Sequence, residues 1–202
     1  IKAVIAIDYG GCPSDWPKLK SITKKRNIAL INDGCHALGS KINNNQKYAI
    51  KYADFVTYSF HPVKPITTGE GGAVITNNKK IDNLIKTLRT HGIVKNEKKF
   101  LWHNDMKFLG YNYRITDIQA SLGLSQLNRL DEIVKKRNFL LTRYKQLLKN
   151  SNIQFLEIPH DVNSSVHLAI VQISKGNPER HLKIFQGLRA AGIGVQLHYF
   201  PI

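Results

Sequence analysis

Acidic side chains are scarce in this 202-residue chain: 14 Asp and Glu stand against 30 Lys and Arg, a formal charge of +16 at pH 7. Cysteine is scarcer still. Cys12 and Cys35 fall in no CxxC spacing, which excludes a disulfide scaffold and leaves two free thiols in a reducing compartment, the cytoplasm, as the expectation. No apolar run approaches the roughly 18 residues of a membrane span; the best are AVIAI (3–7) and IALI (28–31). The residues given show no basic-then-apolar leader pattern, and no membrane partner is expected. Methionine occurs once, at Met106, and the chain opens on Ile1 inside a strand pattern. A piece of a longer polypeptide is therefore expected.

The basic excess raises nucleic acid as a partner, but the charge is dispersed over KLKSITKKR (18–26), NNKK (77–80), KNEKK (95–99) and KKR (135–137). Neither an aromatic RNA-binding signature nor zinc-finger spacing accompanies it. A lysine-rich solvated surface explains it without nucleic acid, and its field would favour anionic substrates.

What is present is an ordinary globular mixture, 42% apolar and 22% charged, with enough apolar residues for a core. Strand patterns at 2–8, 28–33, 53–60 and 71–77 alternate with helical spacing over 16–26 and 80–90, the second ending near Gly92. This alternation predicts an α/β sheet layered with helices. Residues 92–115 read as a long loop, and Thr116 with Gln119 as a capping box opening a helical region whose period slips near 123–128. Beyond 150, strands at 153–158, 165–173 and 193–200 and a helix at 178–192 read as a small α+β unit. The division predicted is 1–130 and 131–202.

Chemistry concentrates in YSFHPVKPITTGEGG (58–72). Pro62 and Pro65 flank Lys64 and narrow its backbone. Partial burial in such a turn disfavours an ammonium, and a lysine so placed can form a Schiff base with a carbonyl; taken alone it can equally be a snorkelling surface lysine. Asp33 closes the strand IALIND, and open α/β sheets bind ligands beyond the carboxyl ends of their strands. A carboxylate and an amine at neighbouring strand ends could hold pyridoxal phosphate, the acid pairing with the pyridine nitrogen; Asp33 could also cap the next turn. His36, His61, His91 and His103 lack the partners of a zinc site, so no metal is expected. P-loop, dinucleotide and GxSxG patterns are absent.

At these residues the sequence resembles the DegT/DnrJ/EryC1/StrS family of pyridoxal-phosphate sugar aminotransferases. The likeness runs through KAVIAIDYGG (2–11), INDGCHALGS (31–40), YSFHPVKPITTGEGGAVITN (58–77), LRTHGI (88–93) and GYNYRITDIQASLGLSQLNRLDEIVKKR (110–137). It implies the aspartate-aminotransferase-like fold of the pyridoxal-phosphate-dependent transferases, here a partial large domain and a partial small one. By that resemblance Lys64 bonds the cofactor, Asp33 pairs with its ring nitrogen, His36 sits beside the ring and Ser59 contacts the phosphate. Asn112 reaches the phosphate of the neighbouring subunit, implying a homodimer. His198, Tyr199, Phe200 and Pro201 match a segment lining the sugar pocket. Dehydratases of the family carry His where this chain has Lys64, which favours transamination. The reaction implied moves an amino group from L-glutamate to the 4-keto carbon of a UDP-linked 6-deoxy sugar, as in pseudaminic acid biosynthesis. Members are nearly twice this length and carry an N-terminal phosphate-cradling turn that this sequence lacks. Residues 1–202 alone are expected to bind cofactor poorly and turn over little.

Overall fold

A computed structural model describes residues 1–95, 100–174 and 176–198. In chain order the elements are β1 (Ala3–Ile7), a short 3-10 turn (Tyr9–Gly11), α1 (Trp16–Lys25), β2 (Ala29–Asp33), β3 (Lys41–Ile42), α2 (Tyr48–Tyr52), β4 (Phe55–Ser59), β5 (Gly72–Ile75), α3 (Lys79–Leu88), β6 (Ile93–Lys95), β7 (Asn104–Met106), α4 (Asp117–Leu127), α5 (Leu130–Leu147), β8 (Ile153–Phe155), β9 (Val162–Asn163), β10 (Val171–Ile173) and α6 (Pro178–Ala190). None of the described helices is long and apolar enough to cross a membrane.

The four predicted strands of the first half form one sheet in the order β1-β2-β4-β5. The first three run parallel, in register Ile7 to Asp33 and Asp33 to Thr57, and β5 closes the edge antiparallel to β4. On one face, α1 and α2 cover Ala6, Leu30 and Val56 with Trp16, Tyr48, Ala49 and Ala53. The other face of β1 carries Ile5 and Ile7, which remain 65% and 51% exposed. Burying only alternate residues is what the period of two dictates.

The helices start where their caps stand. Asp15 accepts the Lys18 N–H ahead of α1, with Pro17 in the first turn; Asn78 and Asn177 do the same for α3 and α6. The capping box of α4 forms in both directions between Thr116 and Gln119. The slip near 123–128 is a true break, α4 ending at Leu127 and α5 starting at Leu130.

Three expectations need correction. The loop at 92–115 contains the antiparallel pair β6/β7, with residues 96–99 outside the described set. The strand read over 165–173 survives only as β10, because hydroxyl and N–H groups at 164–167 bond across to the first half instead of to a ladder. Residues 193–198 form no strand with any described partner, and 199–200 lie outside the described residues. Two short elements were invisible to periodicity, β3 and α2. The first pairs with β9 and ties the second half of the chain to the first.

Candidate active site

Parallel strands deliver their C-terminal ends, and the loops after them, to one edge of the sheet. At this edge β2 ends in Asp33 and β4 in Ser59. The Asp8 N–H, just past β1, donates to the Asp33 carbonyl at 3.1 Å, and the Cys35 N–H donates to Asp33 Oδ1 at 3.1 Å. That bond turns the chain sharply after the strand and brings His36 back over its end. The Ser59 hydroxyl accepts the His61 N–H at 3.3 Å, and the Lys64 N–H closes a turn onto the His61 carbonyl at 3.0 Å. Lys64 is half-buried and is followed by buried Pro65 and Ile66. Ile66 packs with Leu130 and Val134 of α5, which anchors the lysine turn from below.

Electrostatics couple these side chains. His36 is held well below its ordinary value, to about 4, first by burial and then by the Lys64 and His198 charges, while the Asp33 carboxylate opposes the shift. The Cys35 thiol is pushed up to about 11 by burial and by the adjacent Asp33, with Lys64 pulling the other way. Lys64 and Asp33 thus act in opposite senses on the same imidazole and the same thiol. His198 joins them: its ring lies 6.1 Å from His36, and its carbonyl accepts the Tyr9 hydroxyl at 2.8 Å.

The fold thus puts Asp33 and His36 after β2, His198 6.1 Å from the His36 ring, and Ser59 at the end of the strand that leads into the Lys64 turn. Asn112 shares no hydrogen bond with them among the described residues. It bridges to Thr90 in extended pairing and is exposed. Tyr199, Phe200 and Pro201 lie outside the described residues.

Several members of the site were missed by sequence reading. Asp8 is fully buried and accepts from the Ser14 N–H (2.9 Å), Trp16 Nε1 (3.0 Å) and the Tyr48 hydroxyl (2.8 Å). It fixes the loop bearing Tyr9, Gly10 and Gly11. Burial raises the Asp8 carboxyl above its ordinary range against the pull of these donors. From the second half, Ser164 and Ser165 reach into the same loops, and the His167 ring packs against that of His36, tilted by 45°. The polar run Ser164-Ser165 ahead of an apolar strand pattern was the available signal.

A carboxylate at the end of β2, an imidazole just after it and a primary amine in the turn after β4 form a donor set that fits a phosphorylated pyridine aldehyde. Asp33 can balance a protonated ring nitrogen and Lys64 can bond an aldehyde carbon.

Comparison with known proteins agrees with this chemistry. The family model described as the DegT/DnrJ/EryC1/StrS aminotransferase family matches residues 1–202. The chain is 43% identical, over all 202 residues, to the UDP-4-amino-4,6-dideoxy-N-acetyl-beta-L-altrosamine transaminase of Campylobacter jejuni, covering 52% of that protein. Among solved structures it superposes on Helicobacter pylori PseC, an aminotransferase involved in the biosynthesis of pseudoaminic acid. The TM-score is 0.90 at 32% identity, over 99% of this chain and 53% of that one. Spr1654 of Streptococcus pneumoniae, solved in a PMP-form, gives a TM-score of 0.90 at 31% identity, over 99% of this chain and 56% of that one. The chain thus spans about half the length of the relatives it matches.

Proposed function

Because this chain belongs to the DegT/DnrJ/EryC1/StrS aminotransferase family, we propose that the intact protein is a pyridoxal-phosphate-dependent nucleotide-sugar aminotransferase. It moves an amino group from L-glutamate to the 4-keto carbon of a UDP-linked 6-deoxy sugar, on the route to pseudaminic acid. The observation that supports this reading is that Asp33 and the turn bearing Lys64 follow β2 and β4, neighbouring parallel strands of one sheet. The substrate class follows relatives in Campylobacter and Helicobacter that bear one transaminase name. The protein works in the cytoplasm, with residues 1–130 in the large domain and 131–202 in the small one.

When bound, the cofactor supplies an electron sink for the carbanion formed at the substrate carbon. Lys64 bonds it through Nζ. Once displaced by the amino donor, the same Nζ would take the proton from the donor's α-carbon as general base and deliver it as general acid to the cofactor's former aldehyde carbon, and would run the shift in the opposite direction with the keto sugar. Asp33 holds a positive charge on the ring nitrogen, favouring the electron-poor form of the ring. His36, neutral, would lie beside the ring and add no second cation near Lys64. The Ser59 hydroxyl binds the phosphate. Asn112, exposed beside Thr90, reaches the phosphate of a second copy, so the working unit is a homodimer. His198 lines the sugar side with Tyr199, Phe200 and Pro201.

A GDP-linked substrate is the second reading, favoured by 34% identity to Escherichia coli GDP-perosamine synthase over 80% of the chain. Product analysis separates the two. Intact protein is incubated with pyridoxal phosphate, glutamate and a panel of UDP- and GDP-linked 4-keto sugars. The expected outcome is a 4-amino sugar from a UDP substrate, with glutamate consumed. Amination of GDP substrates alone moves the assignment, and no amination of any sugar by cofactor-loaded protein overturns it.

A further inference from the structure

The segment 164–167 departs from what packing alone would select. Val166 has φ +49°, a left-handed conformation that a β-branched residue adopts only under constraint. His167 is only 7% exposed, and its Nδ1 has no hydrogen-bond partner among the described residues. A buried orphan atom beside a strained residue costs stability.

The surroundings over-determine this geometry. Arg137 Nη1, from α5, donates to the Val166 carbonyl at 3.2 Å and the His167 carbonyl at 3.1 Å, and Asn138 donates to the Ser164 carbonyl at 2.8 Å. The Ser164 hydroxyl donates to the Gly11 carbonyl at 2.8 Å and accepts the Val166 N–H at 3.0 Å. The Ser165 hydroxyl donates to the His36 carbonyl at 2.8 Å, and its N–H donates to the Ser40 hydroxyl at 2.9 Å. Gly11 tolerates this only as glycine: its φ is +95°, and a Cβ there would lie 2.6 Å from Ser165 Oγ.

All of this converges on one contact. The His167 ring lies 4.4 Å from the His36 ring. Gly10 joins the pair, donating its N–H to His36 Nδ1 at 3.3 Å and accepting the His167 N–H at 2.9 Å. With Nδ1 an acceptor, the proton of a neutral His36 sits on Nε2. The groups facing His36 are Asp33, Lys64, His198 and Tyr9, besides His167.

We infer that His167 is a positioning residue: clamped by the Ser164–Ser165 bonds, its ring excludes water from His36 and holds that imidazole in a single Nε2-protonated form beside Lys64. It acts through His36 rather than on the reacting atoms. The inference rests on the proposed site only for its consequence, since the His36 form is read without added cofactor. Failure here leaves the assignment of Lys64 untouched, and failure of that assignment leaves the His36 form standing.

The test is the imidazole ¹⁵N spectrum of the intact protein, with the His36 signals identified by their loss in His36→Gln. Wild type should show one form, Nδ1 bare and Nε2 protonated. His167→Ala should mix the two tautomers and, in turnover, lower kcat on the order of 100-fold with little change in KM, as misplacement of a reacting group does. His167→Phe, which keeps a ring, should preserve the single form. Should His167→Ala fail to fold, Ser165→Ala, which frees the His36 carbonyl, is read in its place for the same mixing. An unchanged His36 in the alanine variant, or mixed tautomers in His167→Phe, would overturn the inference.

Discussion

The two sides of the sheet's chemistry are built by different physics. Beneath the sheet, Ala6, Leu30 and Val56 are buried against α1 and α2 by area alone. At the strand ends the buried residues are polar: Asp8, His36, Ser40, Ser164, Ser165 and His167. The first group is held by non-directional burial, in which a lost methylene costs energy and moves little else. The second is held by directional bonds between residues far apart in sequence, so one lost hydroxyl shifts its partners. Core positions should therefore control stability, and strand-end positions should control placement.

Substitutions can break that division. Lys64→Ala should lower turnover on the order of 10²- to 10⁴-fold while leaving the denaturation midpoint of the protein near wild type. An equal loss of stability would move Lys64 into the structural group. Leu30→Ala, wholly inside the apolar cluster, should cost about 2–5 kcal/mol in a urea titration, with the remaining folded protein still binding cofactor. Tyr48→Phe tests the boundary between the two, because Tyr48 packs in the apolar cluster and donates to Asp8. Its expected cost is about 1–3 kcal/mol, that of leaving a buried carboxylate short of a donor, together with a change at the Tyr9 loop.

Acid should reach the strand ends before the core. His36 and His167 are lowered from 6.5 to about 4 and about 3, each mainly by burial. The unfolded chain then takes up protons that the folded one refuses. Their contribution to stability is full above pH 6.5 and is lost as pH falls through 4. Asp8, raised from 3.8, works in the opposite sense, its contribution fading as pH rises. The histidine part is isolated as the difference between wild type and His167→Phe, whose stability profile should be flatter between pH 6.5 and 4. The smallest effect is expected at Thr116→Ala, about 1 kcal/mol from the lost cap of α4, with no change in cofactor binding.

The same division governs what could be read beforehand. The sheet was legible because alternation and glycine punctuation are local, and so were the places of Asp33 at a strand end and of Lys64 in the turn after a later strand. The polar bolt was not, since nothing near Ser165 in sequence announces that its hydroxyl meets the His36 carbonyl. Val166 even argued for a strand, and only tertiary bonds turn it to φ +49°. Short elements such as β3 and α2 have too few residues for a period, and β3 exists only because β9 pairs with it.

The most direct measurement is chemical trapping. The intact protein is mixed with pyridoxal phosphate, reduced with borohydride, digested and mapped by mass spectrometry, with Asp33→Asn in parallel. The account expects one pyridoxyl adduct on the peptide bearing Lys64, discharged when glutamate is added before reduction, and weaker loading in the Asp33 variant. An adduct on other lysines with Lys64 unlabelled would contradict it.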